Sequence, residues 1–243
     1  MSKAYQSPLR SAIGASSIAA LLALSACDGE APEVASDEET ASDPVDDPLP
    51  MMGPKRTILA FGDSLFAGYS LEEDEGYPER LEAVLRGRGV NARVIDAGNS
   101  GDTTAAGRQR IGFVLDNLEA TPDLAIVELG GNDLLRGLPQ AETRANLDAI
   151  LAELQSREIP ILLMGMRAPP NLGPQLQGDF DAIYPDLAEQ YDAGLVPFFM
   201  EPLFAEPGLF LPDRVHPTAE GVERLVAASV DTVVDELPEP SGN

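Results

Sequence analysis

Scarcity is informative in this chain. Its 243 residues include no Trp, one His and one Cys. A single Cys excludes an internal disulfide, and a single His excludes a metal centre built from several imidazoles. Any chemistry that needs an imidazole must use His216. Positive charge is also short. Sixteen Lys and Arg against 41 Asp and Glu leave a net charge of −25. That balance argues against nucleic acid, and against docking on anionic lipid through a basic patch. It suits solubility and a saline habitat, but names no substrate.

The uncharged run from Ser11 to Ala26 follows Lys3 and Arg10. It is too short to span a bilayer comfortably and has the charge asymmetry of a secretory signal. It ends in Leu24-Ser25-Ala26-Cys27, which resembles the lipobox of bacterial lipoproteins. That resemblance implies a signal peptide over residues 1–26 and a lipid-carrying Cys27 as first mature residue. The chain would then be anchored in the bacterial cell envelope, facing the periplasm. Two or more acyl chains make such an anchor stable, since each buried CH₂ contributes ~0.8 kcal/mol. Asp28 matches the enterobacterial signal for inner-membrane retention; both membranes stay open. From Asp28 to Pro50 the chain is acidic, rich in Pro, Ser and Ala, and without aromatic or basic residues. Such a stretch cannot offset its ordering entropy by burial. Residues 27–54 are therefore expected to form a disordered tether, with an r.m.s. reach of roughly 25–30 Å.

Residues 55–238 read as one domain. Apolar runs at Thr57–Phe61, Arg93–Ala97, Leu124–Leu129, Ile161–Met166 and Leu195–Phe199 predict five strands. Between and after them, helical spacing predicts helices over about 78–88, 104–118, 142–157, 180–191 and 218–237. Arg167 to Gly178, rich in Pro and Gly, reads as a loop, and Met200 to Pro212 as an irregular connection. Near-continuous apolar strands alternating with helices call for a parallel sheet covered on both faces. Two tempting motifs fail on context. Glu72-Glu73-Asp74-Glu75 lacks the alternating carboxylates and central Gly of a calcium loop. Gly87-Arg88-Gly89-Val90-Asn91-Ala92 has the letters of a dinucleotide fingerprint, but follows a helix and leads into a strand.

Polar loops then close the first three strands, at Ser64, Gly101 and Asn132, and Asp213-Arg214-Val215-His216 precedes the last helix. In open α/β sheets, ligands bind beyond the carboxyl ends of the strands. A Ser hydroxyl there is a nucleophile if an imidazole takes its proton and a carboxylate fixes the imidazole tautomer. Ser64, His216 and Asp213 supply that chain. A developing oxyanion needs donors set in advance, available from the Ser64 and Gly101 backbone N–H groups and the Asn132 amide. Each piece alone is ordinary turn or cap chemistry; the joint order of four is what carries the reading.

Phe61-Gly62-Asp63-Ser64-Leu65, Gly101, Gly131-Asn132-Asp133 and Asp213-x-x-His216 resemble the four sequence blocks of the GDSL, or SGNH, hydrolases. The similarity spans about Thr57 to Leu237. It is closest to the bacterial thioesterase/protease/lysophospholipase and arylesterase branch, through Val127–Leu134, Ile183-Tyr184-Pro185 and Pro197–Glu201. The resemblance implies a three-layer α/β/α flavodoxin-like fold with a five-stranded parallel sheet. It implies a serine ester hydrolase using Ser64, His216 and Asp213, with Ser64, Gly101 and Asn132 as oxyanion donors. It also implies no metal or cofactor, a monomer, and a loop at Leu134–Pro139 that lines the acyl site and can move. Carboxylic esters and thioesters of short to medium acyl chains, with lysophospholipids, are the substrates it suggests. A carbohydrate O-acetylesterase and an acyl-binding lipoprotein without turnover stay open as alternatives.

Overall fold

The computed structural model describes residues 52–239. The expected signal peptide, the expected lipidation site Cys27 and nearly all of the expected tether lie outside them. In chain order the described part runs β1 (Arg56–Gly62), α1 (Tyr77–Gly87), β2 (Ala92–Gly98), α2 (Thr104–Asp116), β3 (Leu124–Glu128), α3 (Gly131–Leu135) and α4 (Gln140–Ser156). It continues with β4 (Ile161–Met164), α5 (Pro174–Asp181), α6 (Ile183–Tyr191), β5 (Gly194–Val196) and α7 (Ala219–Glu236). All strand pairs are parallel, in the order β2-β1-β3-β4-β5. That is the flavodoxin-like order, with its switch point between β1 and β3.

The central strands are apolar because both their faces are covered. Ile58, Leu59, Ala60 and Phe61 of β1 and Leu124 to Val127 of β3 are fully buried. Helices α1 and α7 pack together on one face, and α2, α4 and α6 follow one another on the other. Among the described residues, no helix is long and apolar enough to cross a membrane.

Element boundaries differ from expectation where proline intervenes. The last strand was expected over Leu195–Phe199 but stops at Val196. Pro197 has no N–H to continue the ladder, and pairing resumes only as Phe199 N–H reaches Gly165 O at 2.8 Å. The expected loop Arg167–Gly178 contains the start of α5, because Pro174 sits at its first turn with φ preset for a helix. The expected helix 180–191 breaks at Ala182, where Pro185 cannot donate to the carbonyl four residues back. The expected loop at 134–139 begins inside α3.

Two Thr side chains fix the helices nearest the polar loops. Thr103 Oγ1 accepts from Ala106 N–H at 3.3 Å to open α2, and Thr218 Oγ1 accepts from Gly221 N–H at 3.1 Å to open α7. Thr218→Ala leaves that N–H without its cap, so stability should fall by about 1 kcal/mol, read as a lower urea midpoint at unchanged m.

Candidate active site

Ser64 follows β1 on a tight helical turn, with Ala67 N–H bonded to Asp63 O at 3.0 Å and Tyr69 N–H to Ser64 O at 3.2 Å. His216 arrives from the far end of the chain. Its loop is folded back on itself by Leu211 N–H to His216 O at 2.8 Å, Thr218 N–H to Leu209 O at 2.8 Å, and a bridge between Phe210 and Pro217. Within that loop Arg214 adopts a left-handed φ of 59°, uncommon for a residue with a side chain. The turn it makes directs the Asp213 carboxylate at its own loop. Asp213 Oδ1 accepts the Val215 and His216 N–H groups at 2.9 and 3.1 Å, leaving Oδ2 for the ring.

The three side chains form one continuous relay. His216 Nε2 lies 2.8 Å from Ser64 Oγ, and His216 Nδ1 lies 2.8 Å from Asp213 Oδ2. The bond from His216, with those from the two backbone N–H groups, holds the Asp213 carboxyl down at about 2. Asp213 therefore remains an acceptor throughout the range in which imidazole titrates, which fixes the proton on Nδ1 and leaves Nε2 free to accept from Ser64. Tyr69 packs against the imidazole at a tilt, with ring centroids 4.3 Å apart.

Of the expected oxyanion donors, Ser64 and Asn132 line one cleft. Gly101 has φ 87°, a conformation that strains any residue with a Cβ, and Arg136 Nη2 holds its carbonyl at 2.7 Å. Neither the Ser64 nor the Gly101 N–H has an acceptor among the described residues. The Asn132 amide is differently placed: Nδ2 donates to Asp63 Oδ2 at 2.9 Å and to Asp102 O at 3.0 Å. Both its hydrogens are thus engaged, and one must leave its acceptor before it can serve an oxyanion. Arg110 braces the floor of the site, reaching Asp102 Oδ2 at 2.6 Å and Gly62 O at 2.8 Å over the Phe61 ring.

Ser64 and His216 open into a cleft of about 330 Å³ walled by Leu65, Leu134, Leu135, Met166, Pro169 and Met200. A hollow of about 260 Å³ at the opposite end of the sheet, beside Val90 and Leu237, is lined by no Ser, Cys or His. Among the described residues no group of three His, Cys, Asp or Glu is arranged to hold a metal.

Sequence reasoning missed five contributors. Tyr69 and Arg136 stand in loops whose contacts are long-range, and nothing local marks them. Arg110 lies on the buried side of α2. Glu128, a charge ending the otherwise apolar run of β3, and its neighbour Asp63 did carry a signal. A carboxylate at the end of a fully buried strand calls for a partner.

Fold and site together define a serine hydrolase built on a flavodoxin-like sheet. The chain belongs to the GDSL-like lipase/acylhydrolase family, whose profile matches residues 60–224. It is 37% identical over 163 residues to an arylesterase of Vibrio mimicus, covering 67% of this chain and 80% of that one. It is also 37% identical over 164 residues to thioesterase 1/protease 1/lysophospholipase L1 of Escherichia coli K12, covering 68% and 76%. Among solved structures it is similar to AlinE4, an SGNH-hydrolase family esterase, at 65% identity and a TM-score of 0.66, covering 77% of this chain and all of that one.

If Asp213 fixes the imidazole tautomer, Asp213→Asn should lower kcat on esters by up to about 10⁴-fold at little changed KM, measured by steady-state kinetics. An equal loss in KM and none in kcat would remove Asp213 from the relay.

Proposed function

We propose that this chain hydrolyses carboxylic esters and thioesters through an acyl-enzyme on Ser64. The observation that carries the reading is the unbroken Ser64–His216–Asp213 relay opening into an apolar cleft. Ser64 Oγ attacks the acyl carbon while its proton passes to His216 Nε2. The carbonyl oxygen gains the negative charge and is met by the Ser64 and Gly101 N–H groups, joined by the Asn132 amide once it releases Asp63 or Asp102 O. His216 returns the proton to the departing alcohol or thiol. Water, deprotonated by the same nitrogen, then releases the acid and restores Ser64.

Substrate class follows from the cleft. At about 330 Å³ it lies at the small end of ligand pockets, and its apolar walls suit short to medium acyl chains. The arylesterase and thioesterase/lysophospholipase names of relatives support ester and thioester substrates. Attachment to the cell envelope through Cys27 is part of this proposal, and a Cys27→Ser variant that fails to incorporate labelled fatty acid would support it.

The test uses p-nitrophenyl esters from acetate to palmitate. Ser64→Ala should lose at least about 10³-fold in kcat with its circular dichroism unchanged. Turnover should peak below the longest chains; turnover of acetate alone would favour a deacetylase. Asp213 stays ionised far into acid, so the rate should fall in acid along one limb, as His216 takes up a proton and ceases to be a base. A rate unchanged from about pH 8 to pH 5 would remove His216 from that role.

A further inference from the structure

The mechanism leaves two buried carboxyl groups without a task. Asp63 precedes the nucleophile and is 2% exposed, while Glu128 at the end of β3 is fully buried. The two carboxyl groups adjoin, and Asp63 N–H points at Glu128 Oε2 from 3.4 Å. Glu128 Oε1 has no hydrogen-bond partner among the described residues.

Among the described residues, no Lys or Arg forms an ion pair with either carboxyl. The nearest helix on the α2 side brings Arg110, spent on Asp102 and Gly62 O. From α3 comes Asp133, whose carboxylate is bonded by Thr104 and Thr143. Helix α6 brings Tyr184, which donates to Leu129 O at 3.1 Å, and the end of α5 brings Asp181, which accepts from Ala168 N–H at 2.8 Å. His216 faces Asp63 across the site, with its ring engaged by Asp213 and Ser64. Two adjoining carboxyls in such a setting keep a proton between them. Asp63 accepts from Leu65 N–H at 3.1 Å and from the Asn132 amide at 2.9 Å, both of which favour its ionised form. Glu128 has one long contact from an N–H and one bare oxygen. The proton belongs on Glu128.

We propose that Glu128 is a positioning residue for ester hydrolysis: as a neutral carboxylic acid it donates to the Asp63 carboxylate, and so fixes Asp63 on the Leu65 N–H and the Asn132 amide. Those two contacts tie the nucleophile turn to the oxyanion side of the cleft. Burial first, then the neighbouring Asp63 charge, pushes the Glu128 carboxyl well above the ordinary range. A carboxyl raised in the folded state stabilises the fold below its unfolded pKa, and that contribution is lost as pH rises through the folded value. The wild-type melting temperature should therefore decline over that window more than that of Glu128→Gln.

The proposal rests on the Ser64 mechanism, so Ser64→Ala is measured beside Glu128→Gln and Glu128→Leu in the full chain, with p-nitrophenyl butyrate as substrate. Gln keeps a neutral donor toward Asp63 and should hold kcat within about threefold of wild type. Leu should lower kcat on the order of tenfold to hundredfold at similar KM, less than outright loss of an oxyanion donor. The infrared spectrum at neutral pH should contain a protonated-carboxyl band that disappears in Glu128→Gln, a signature a merely structural role would not supply. A wild-type spectrum without that band, or one Gln leaves unchanged, would overturn the proposal. So would full kcat in Leu, or a loss in Gln as deep as in Leu. If Leu does not fold, the band and the Gln kinetics decide. Ser64→Ala at full rate would instead overturn the underlying mechanism, while an inactive Ser64→Ala beside an unimpaired Leu variant would overturn the Glu128 role alone.

Discussion

The hydrogen bond between Ser64 Oγ and His216 Nε2 joins residues 152 positions apart at 2.8 Å, and the rest of the molecule exists to make it possible. One partner leaves the end of the second-from-edge strand and the other sits just before the last helix. Neither segment has enough local structure to place a side chain alone. The parallel sheet supplies the frame: it ends β1, β2 and β3 at a common edge, and α7, packed against α1, returns the His216 loop to it. A hydroxyl and an imidazole are each weak in isolation; held together, they become a nucleophile and its base.

Around that contact, electrostatics works by unequal burial. Asp213 lies in a surface loop and stays an anion because three N–H donors surround it. Asp63 and Glu128 lie beneath the nucleophile, where burial opposes charge. One carboxylate therefore orients a base at the rim, while a pair below shares a proton. The overall charge of −25 does not govern these differences; local solvation and partners do.

Much of this was legible in the sequence, and for definite reasons. A buried strand must end in a polar break, so Gly62-Asp63-Ser64, Gly101 and Gly131-Asn132 mark the sheet edge without any coordinates. The only His leaves no choice of base. What composition hides is the tertiary use of a residue. Pro and Gly between 167 and 178 signal a loop, yet Pro174 at a helix start is as favourable as Pro in a turn. Pro185 split a helix whose apolar spacing ran through it. Strand and loop order brings Asn132 to the sheet edge, but its two amide bonds to Asp63 and Asp102 are not legible in spacing. Tyr69 on His216 is likewise a contact made only by folding.

The most direct test of the central claim is covalent. A p-nitrophenyl alkylphosphonate transfers phosphorus to an activated serine and expels p-nitrophenol, and peptide mass spectrometry then locates the adduct. The account predicts one phosphonyl group per chain, on Ser64, formed in step with loss of esterase activity and abolished by His216→Ala. An adduct on another residue, or full inactivation with Ser64 unmodified, would contradict it.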